Sequence, residues 1–586
     1  MSDPGLSLLF DAVAGLADPA VADSLEAFRR DERPVALLEI CDALFPSLED
    51  AMWREGRLDV EALERYQALV REVNQWLTTR PDDPRHEFVV VVPVADRPRH
   101  LRAFLDSLHA LCRRFPWGPV SVLVADDSGG RENIAGNRRI VDDFRDRGLE
   151  VQYFGQEEQL RLLDALDAET RQALAGVLGN HDRSRFWHKG ASNMRNITYL
   201  ELARRAGQGR EKLFWFADSD QEFRAGDFHA LNYLFHLDRI FSREPVTLLT
   251  GKVVGDPPVS PAVMAGNFLD DVLAFMNDLA ARQADSACAY HERAEEKADD
   301  AAYHDMADLF GFQEKRHSFR YRCPLEGPHD HRHCFEEYTA RLGGFFDGEH
   351  LTRRTAYEYR PLAETLVPAR TVYTGNYVFN RQGLAYFIPF ASLKLRMAGP
   401  VLGRMVAAEL GEGFLSANLP MLHKRTVAEA GRSEFRPGIV HDDDLSDISG
   451  EFERQYYGDV MLFSMIRLTG QGYPVRELSA KEIRRVLEEV EQEMRGRYEG
   501  KRQDILAGTG QLRRLLEDDR QWWHECPGAV DQVRRFMDSM ERSFGDQARG
   551  VRLMRSAGHR GRRLDEMTDA LLAYKGERAL WERLLA

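Results

Sequence analysis

Leu213-Phe214-Trp215-Phe216-Ala217-Asp218-Ser219-Asp220 is an unbroken apolar run that stops on two carboxylates one residue apart. Five consecutive apolar residues suit a strand covered on both faces, and such strands belong to parallel α/β sheets. Ligands of those sheets collect at the carboxyl ends of the strands, which is where the pattern puts Asp218 and Asp220. The chain turns at a strand end, so both carboxylates can converge on one hard divalent cation. For an isolated Asp-x-Asp the competing reading is a solvated acidic turn, and the neighbouring segments have to decide between the two.

Upstream, Glu87 to Val94 reads as a first buried strand, Arg97 to Arg114 as an amphipathic helix, and Val120 to Ala125 as a second strand ending in Asp126-Asp127-Ser128-Gly129-Gly130. Strand, helix, strand is a right-handed parallel unit. Asp126 or Asp127 then stands at a second carboxyl edge, suited to accept a hydrogen bond from a base N–H, while Ser128 and the glycines let the backbone turn sharply. Between these strands and the Asp-x-Asp run, His188 to Asn196 opens a helix that continues to Arg204, with Ser192 or Asn193 as its expected cap. Its first turn would offer free N–H groups, and Lys189 and Arg195 would add positive charge, a combination that suits a phosphate-bearing ligand.

In this order the motifs resemble the GT-A fold of nucleotide-sugar glycosyltransferases, the family 2 type in particular, over residues 86–230. Val91-Val92-Pro93-Val94 matches the family's first strand, Asp126-Asp127-Ser128 its base-holding acidic turn, and Gly190 to Asn196 the Gly-Ala-x-x-x-Arg-Asn helix before the Asp-x-Asp strand. The resemblance implies a Rossmann-like, mostly parallel sheet. It implies a nucleotide-sugar donor touching Pro93, Val94, Asp126, Asp127, Lys189, Arg195 and Asp218, and a Mn²⁺ or Mg²⁺ ion held by Asp218 and Asp220. Val372 to Asn380 looks like the acceptor-side loop and strand, with Gly375 in the turn, and Phe414 to Arg425 resembles the late strand whose terminal histidine, here His423, becomes the third metal ligand. Lys424 and Arg425 would then reach the departing diphosphate.

One departure bears on mechanism. Inverting members of the family carry an acidic base where this chain reads Arg396 to Met405, and no carboxylate stands there. Either the reaction retains configuration, with the leaving diphosphate taking the acceptor proton, or the base comes from elsewhere. The acidic run His441-Asp442-Asp443-Asp444-Leu445-Ser446-Asp447, with Asp443 as the catalytic candidate, is the alternative source.

With 43% hydrophobic residues in 586 the chain can bury a large core, and a net charge of −16 argues against non-specific nucleic-acid binding. No run of about 18 apolar residues and no basic, apolar leader is present, so the expectation is a cytoplasmic protein without a transmembrane segment. Three regions are expected: an N-terminal helical cap (1–85), the glycosyltransferase domain (86–476) with a charged insertion at about 280–360, and a C-terminal helical region (477–586) whose surfaces could support a homo-oligomer. Six cysteines make no disulfide framework. Cys323, His329, His331, His333 and Cys334 nonetheless gather two thiols and three imidazoles in twelve residues, enough in kind for tetrahedral Zn²⁺ but without a Cys-x-x-Cys pair, against a polar surface loop. The activity expected is transfer of a sugar to an unknown hydroxyl acceptor. The rivals are a nucleotidyltransferase making NDP-sugars, although Val94-Ala95-Asp96-Arg97-Pro98 lacks that class's glycine-rich loop, and a degenerate transferase domain serving as an interaction protein.

Overall fold

Alternation along two strands divides the core. In β1 (Glu87–Val94), Val89 and Val91 enter one apolar cluster while Phe88, Val90, Val92 and Val94 enter another. β4 (Lys212–Ala217) repeats the division, with Phe214 and Phe216 on the first side and Leu213, Trp215 and Ala217 on the second. Successive side chains of a strand point to opposite faces, so strands apolar at every position need cover on both. The computed structural model supplies that cover. It describes scattered residues between 45 and 71, then 86–585 except 116, 181, 208, 224–230, 257–259, 292–320, 350–351, 353–361, 425–437 and 443–444.

The sheet adds β2 (Val120–Asp126), β3 (Glu150–Phe154), β5 (Gln221–Glu222), β6 (Leu248–Gly255), β7 (Val367–Pro368), β8 (Asn376–Phe379) and β9 (Phe414–His423). Its order is β3-β2-β1-β4-β8-β6-β9-β5, with β7 also on β9. Pairings β1–β2, β2–β3, β1–β4 and β6–β9 are parallel, and β8 runs antiparallel between β4 and β6. The fold is therefore mixed α/β on a mostly parallel nine-stranded sheet.

On one face lie α1 (Pro98–Arg114) and α2 (Arg131–Asp146), with Leu101, Phe104, Leu108, Ile140 and Phe144 buried against the sheet. On the other lie α3 (Ala191–Ala206), α4 (Pro261–Ala280), α5 (His331–Ala340), α6 (Ala398–Leu410) and α7 (Ser449–Gly470). The same core continues without a break into α8 (Ala480–Leu516), α9 (Pro527–Phe544) and α10 (Ala557–Leu585), where Trp523, Phe544 and Trp581 are fully buried packing residues.

Periodicity alone reads α8 as two pieces, 481–497 and 511–523; the structure joins them into one 37-residue helix ending at Leu516, followed by a short 3₁₀ turn at Trp522–Glu525. Gly500, Gly508 and Gly510 blur the pattern in the join, yet Tyr498, Ile505 and Leu512 keep one buried stripe through it. Gly508 is where Leu269 of α4 seats, since a Cβ there would lie 2.8 Å from the Leu269 side chain. The N-terminal helices expected at 21–30 and 34–44 fall outside the described residues; of the third, Tyr66 and Val70 pack on the α1 side of the core. Among the described residues no helix is long and apolar enough to cross a membrane.

Candidate functional site

Four strand and helix ends meet at one cavity of about 1450 Å³. β1 brings Pro93 and Val94, the β2 turn brings Asp127, the start of α3 brings Lys189 to Arg195, and the end of β4 brings Asp218, Ser219 and Asp220. The carboxyl edge of the parallel strands is thus the floor of the cavity, as the topology of such sheets requires.

Asp218 and Asp220 face different partners. Asp218 closes an ion pair with Arg195, whose guanidinium also donates to the carbonyls of Ala191 and Thr374 at 3.1 Å each. Gly375 lies directly against this carboxylate: its carbonyl accepts from the Asp218 N–H at 3.2 Å, and a Cβ on it would stand 2.8 Å from Asp218 Oδ2. Burial pushes the Asp218 carboxyl above its ordinary value, with Arg195 working against the shift and Asp220 adding to it. Asp220 Oδ2 accepts from Arg97 Nη1 at 3.0 Å and lies 3.4 Å from His423 Nε2. The His423 ring is anchored from behind, its Nδ1 lying 2.7 Å from the carbonyl of Asp256. Donation to that carbonyl leaves the Nε2 lone pair facing Asp220, the tautomer a metal-binding imidazole needs. The pairing of Gln221 in β5 with His423 in β9 joins two segments some 200 residues apart. The structure thus gathers Asp220 and His423, while Asp218 turns to Arg195 and does not close a three-ligand cluster with them.

Other expectations are redistributed. Asp127 lines the cavity, but its carboxylate is tied to Lys189, a buried pair in which burial raises the acid and lowers the amine while each opposes the shift of the other. Asp126 is turned away from the cavity; it accepts from the Ser128 N–H at 2.8 Å, Asn137 Nδ2 at 2.9 Å and the Tyr153 hydroxyl at 2.7 Å, which holds the β2 turn in shape. Neither Ser192 nor Asn193 caps α3: the cap is Gly190 with φ of 97°, a conformation glycine adopts freely, and Asn193 donates back to the Lys189 carbonyl. Lys424 pairs with Glu222 at 2.9 Å and faces a separate small recess with Arg99 and His100. The acidic hairpin β10 (Val440–Asp442) and β11 (Leu445–Asp447) does not fold over the site; Asp442 pairs with Arg542 of α9 at 2.9 Å, and Ser446 N–H donates to Ser539 Oγ at 3.1 Å. Asp443 and Arg425 lie outside the described residues.

Three sets of residues escaped the sequence. Asp96 accepts from the N–H groups of Gly129 and Gly130, from Asn133 and from His188 Nε2 at 2.6 Å, stitching the ends of β1 and β2 to the loop before α3. Burial opposes its charge, but those hydrogen bonds hold its carboxyl below the usual range. Arg97, beside it, reaches Asp220. Their position just past a strand end was the available signal. The rest of the wall had none: Arg396 and Arg454, and His559, Arg563, Asp569 and Glu577 of α10, reach the cavity only through tertiary packing.

No family model and no curated protein matches this chain. Among solved structures, one described as a mycobacterial protein is 13% identical, covers 68% of this chain and 78% of its own, and has a TM-score of 0.28. The mannosyltransferase PcManGT from Pyrobaculum calidifontis, in complex with GDP-Man and Mn²⁺, is 10% identical over 88% of this chain and 97% of its own, with a TM-score of 0.30. At these scores neither likeness carries an argument, and the reading of the site rests on its geometry.

Proposed function

We propose that the chain is a divalent-metal-dependent glycosyltransferase of the GT-A type, moving a sugar from a nucleotide diphosphate to a hydroxyl acceptor. The observation that carries this is the meeting of Asp220 and His423 at the carboxyl edge of the sheet, within one cavity that also holds Asp218, Arg97, Arg195 and the start of α3. Asp220 and the His423 imidazole with its lone pair forward suit Mn²⁺ or Mg²⁺ and are the residues that would hold the ion, with Asp218, on the same edge but paired with Arg195, joining them only on leaving that pair. Bound there, the ion would supply charge neutralisation for the leaving diphosphate.

The chain's own groups do the remainder. Arg97 and Arg195 already face both carboxylates, and the free N–H groups of the first turn of α3 suit the diphosphate oxygens. Pro93, Val94 and the Asp127–Lys189 pair form the part of the wall nearest the β1 and β2 ends, where the nucleoside fits. The acceptor is received by the polar wall of Arg396, Arg454, His559 and Arg563. Carboxylates do stand on that wall, including Asp459 and Glu577, so the empty stretch 396–405 leaves the stereochemical course to be measured as the product anomer.

The test is a thermal-shift panel of nucleotide sugars, GDP-mannose among them, with and without Mn²⁺ and Mg²⁺. A specific donor raises the melting temperature only when metal is present, by mass action on the native state. No response to any nucleotide sugar in either metal would sink the proposal and favour the interaction-protein reading.

A further inference from the structure

Away from the cavity, where α4 gives way to α5, four side chains converge that are not neighbours in sequence. Cys334 Sγ lies 3.3 Å from Cys288 Sγ and 3.7 Å from Cys323 Sγ, and Cys323 Sγ lies 3.2 Å from His329 Nε2. All four donor atoms fall within 4.8 Å of one another. We infer that Cys288, Cys323, His329 and Cys334 form a structural zinc site.

The dimensions fit. Zn–S bonds of about 2.3 Å and a Zn–N bond of about 2.0 Å in a tetrahedron set donor-to-donor edges of about 3.5–3.8 Å. A disulfide needs sulfurs about 2.0 Å apart, and the three cysteines are free thiols with Cys334 Sγ 3.3 and 3.7 Å from the other two sulfurs. The surroundings are those of a ligand set. His329 Nδ1 lies 2.7 Å from the Gly327 carbonyl, which fixes its proton there and leaves Nε2 as the donor facing Cys323. The Tyr290 N–H donates to Cys288 Sγ at 3.4 Å, and the Leu325 backbone donates to Cys323, the support a thiolate accepts from the residue two positions on. The backbone is pinned to match: Cys288 N–H donates to the His329 carbonyl at 2.9 Å, Cys323 N–H to the Tyr290 carbonyl at 3.1 Å, and Ala287 bridges Asp330. Cys334 stands in the first turn of α5 and is fully buried.

Two of the histidines in the same stretch are excluded by their partners. His331 Nδ1 is held by Ser286 Oγ and the Gln283 carbonyl, and His333 turns outward to Asp330. Cys288, 35 positions before Cys323, completes the set in their place. Binding would release the thiol protons to solvent and tie Cys288 to Cys323 and Cys334. It would also fix the start of α5, whose Phe335 packs on Trp522 and Trp523. Three thiolates and one imidazole are a soft donor set, which selects zinc over the hard cations suited to Asp218 and Asp220.

The full chain, purified under reducing conditions without chelator, is incubated with zinc sulfate, desalted and assayed by plasma mass spectrometry. Equimolar zinc that survives desalting is expected. Cobalt introduced in its place should show the ligand-field and thiolate charge-transfer bands of tetrahedral sulfur ligation. Cys323→Ser should lose the metal, whereas His329→Cys, which keeps four soft donors, and Cys112→Ser, remote from the site, should retain it. If Cys323→Ser fails to fold, the cobalt spectrum and His329→Cys still decide. Metal well below equimolar after reconstitution, iron in place of zinc, or a Cys288–Cys334 disulfide in the intact mass of the reduced protein would overturn the inference.

Discussion

Asp220 Oδ2 accepts from Arg97 and stands 3.4 Å from His423 Nε2, so its charge meets a cation and an imidazole at one point. Asp220→Asn keeps the shape and deletes the charge. Turnover should fall on the order of 100-fold or more, with the far-UV spectrum unchanged, because the loss belongs to the transition state rather than the core. Asp127 is different in kind. Alanine there strands the fully buried Lys189 amine without its partner. Asp127→Ala should therefore cost about 3–5 kcal/mol in chemical denaturation, as breaking a buried pair does. Asp459 sets a pH dependence. Burial pushes its carboxyl from 3.8 up to about 7, although Tyr498 and Gln455 donate to it. The folded state then keeps a proton that the unfolded chain has lost, so this contribution to stability is complete below about pH 4 and disappears as pH rises through about 7. Asp459→Asn should flatten the fall in melting temperature across that window, and an unchanged profile would assign the slope to other groups.

At the scale of elements, α6 approaches the loop before β8 through two glycines on one face. A Cβ on Gly403 would lie 2.5 Å from Thr371 Cα, and one on Gly399 would lie 2.2 Å from the Val372 carbonyl oxygen. Gly403→Ala should destabilise the protein by about 1–3 kcal/mol through overpacking, read as a lower denaturation midpoint. It should also slow turnover, since the same loop carries Gly375 against Asp218. Strands β1, β2 and β4 were legible because each is a largely apolar run, and the acids that follow β2 and β4 marked the edge where the cavity opens; β9, interrupted by Ser416, Asn418 and Pro420, was read only from the resemblance. What a carboxylate points at was not legible. Asp126 and Asp127 are adjacent, yet one is locked into its own turn and the other faces the cavity, a difference made by Tyr153, Asn137 and Lys189 arriving from three other elements. The Cys–His stretch showed the same limit, its fourth donor lying where no local spacing rule reaches.

Over the whole molecule, one apolar core runs from β1 to Trp581, whose indole donates to the Leu384 carbonyl at 2.9 Å and whose ring packs on Phe387. Trp581→Ala should cost about 3–5 kcal/mol, and because α10 is also cavity wall, it should loosen ligand binding along with the fold. Paired denaturation and nucleotide-sugar titrations would separate the two effects; a stability loss with binding intact would confine Trp581 to packing. The cavity draws on residues from Pro93 to Glu577. A ribosome makes the amino-terminal strands first, so the nascent chain carries Asp218 and Asp220 long before it has anything to close around them. Translation halted short of Glu577 therefore leaves a polypeptide that carries the acidic edge but lacks one wall, and a complete cavity arrives late in synthesis rather than growing with chain length.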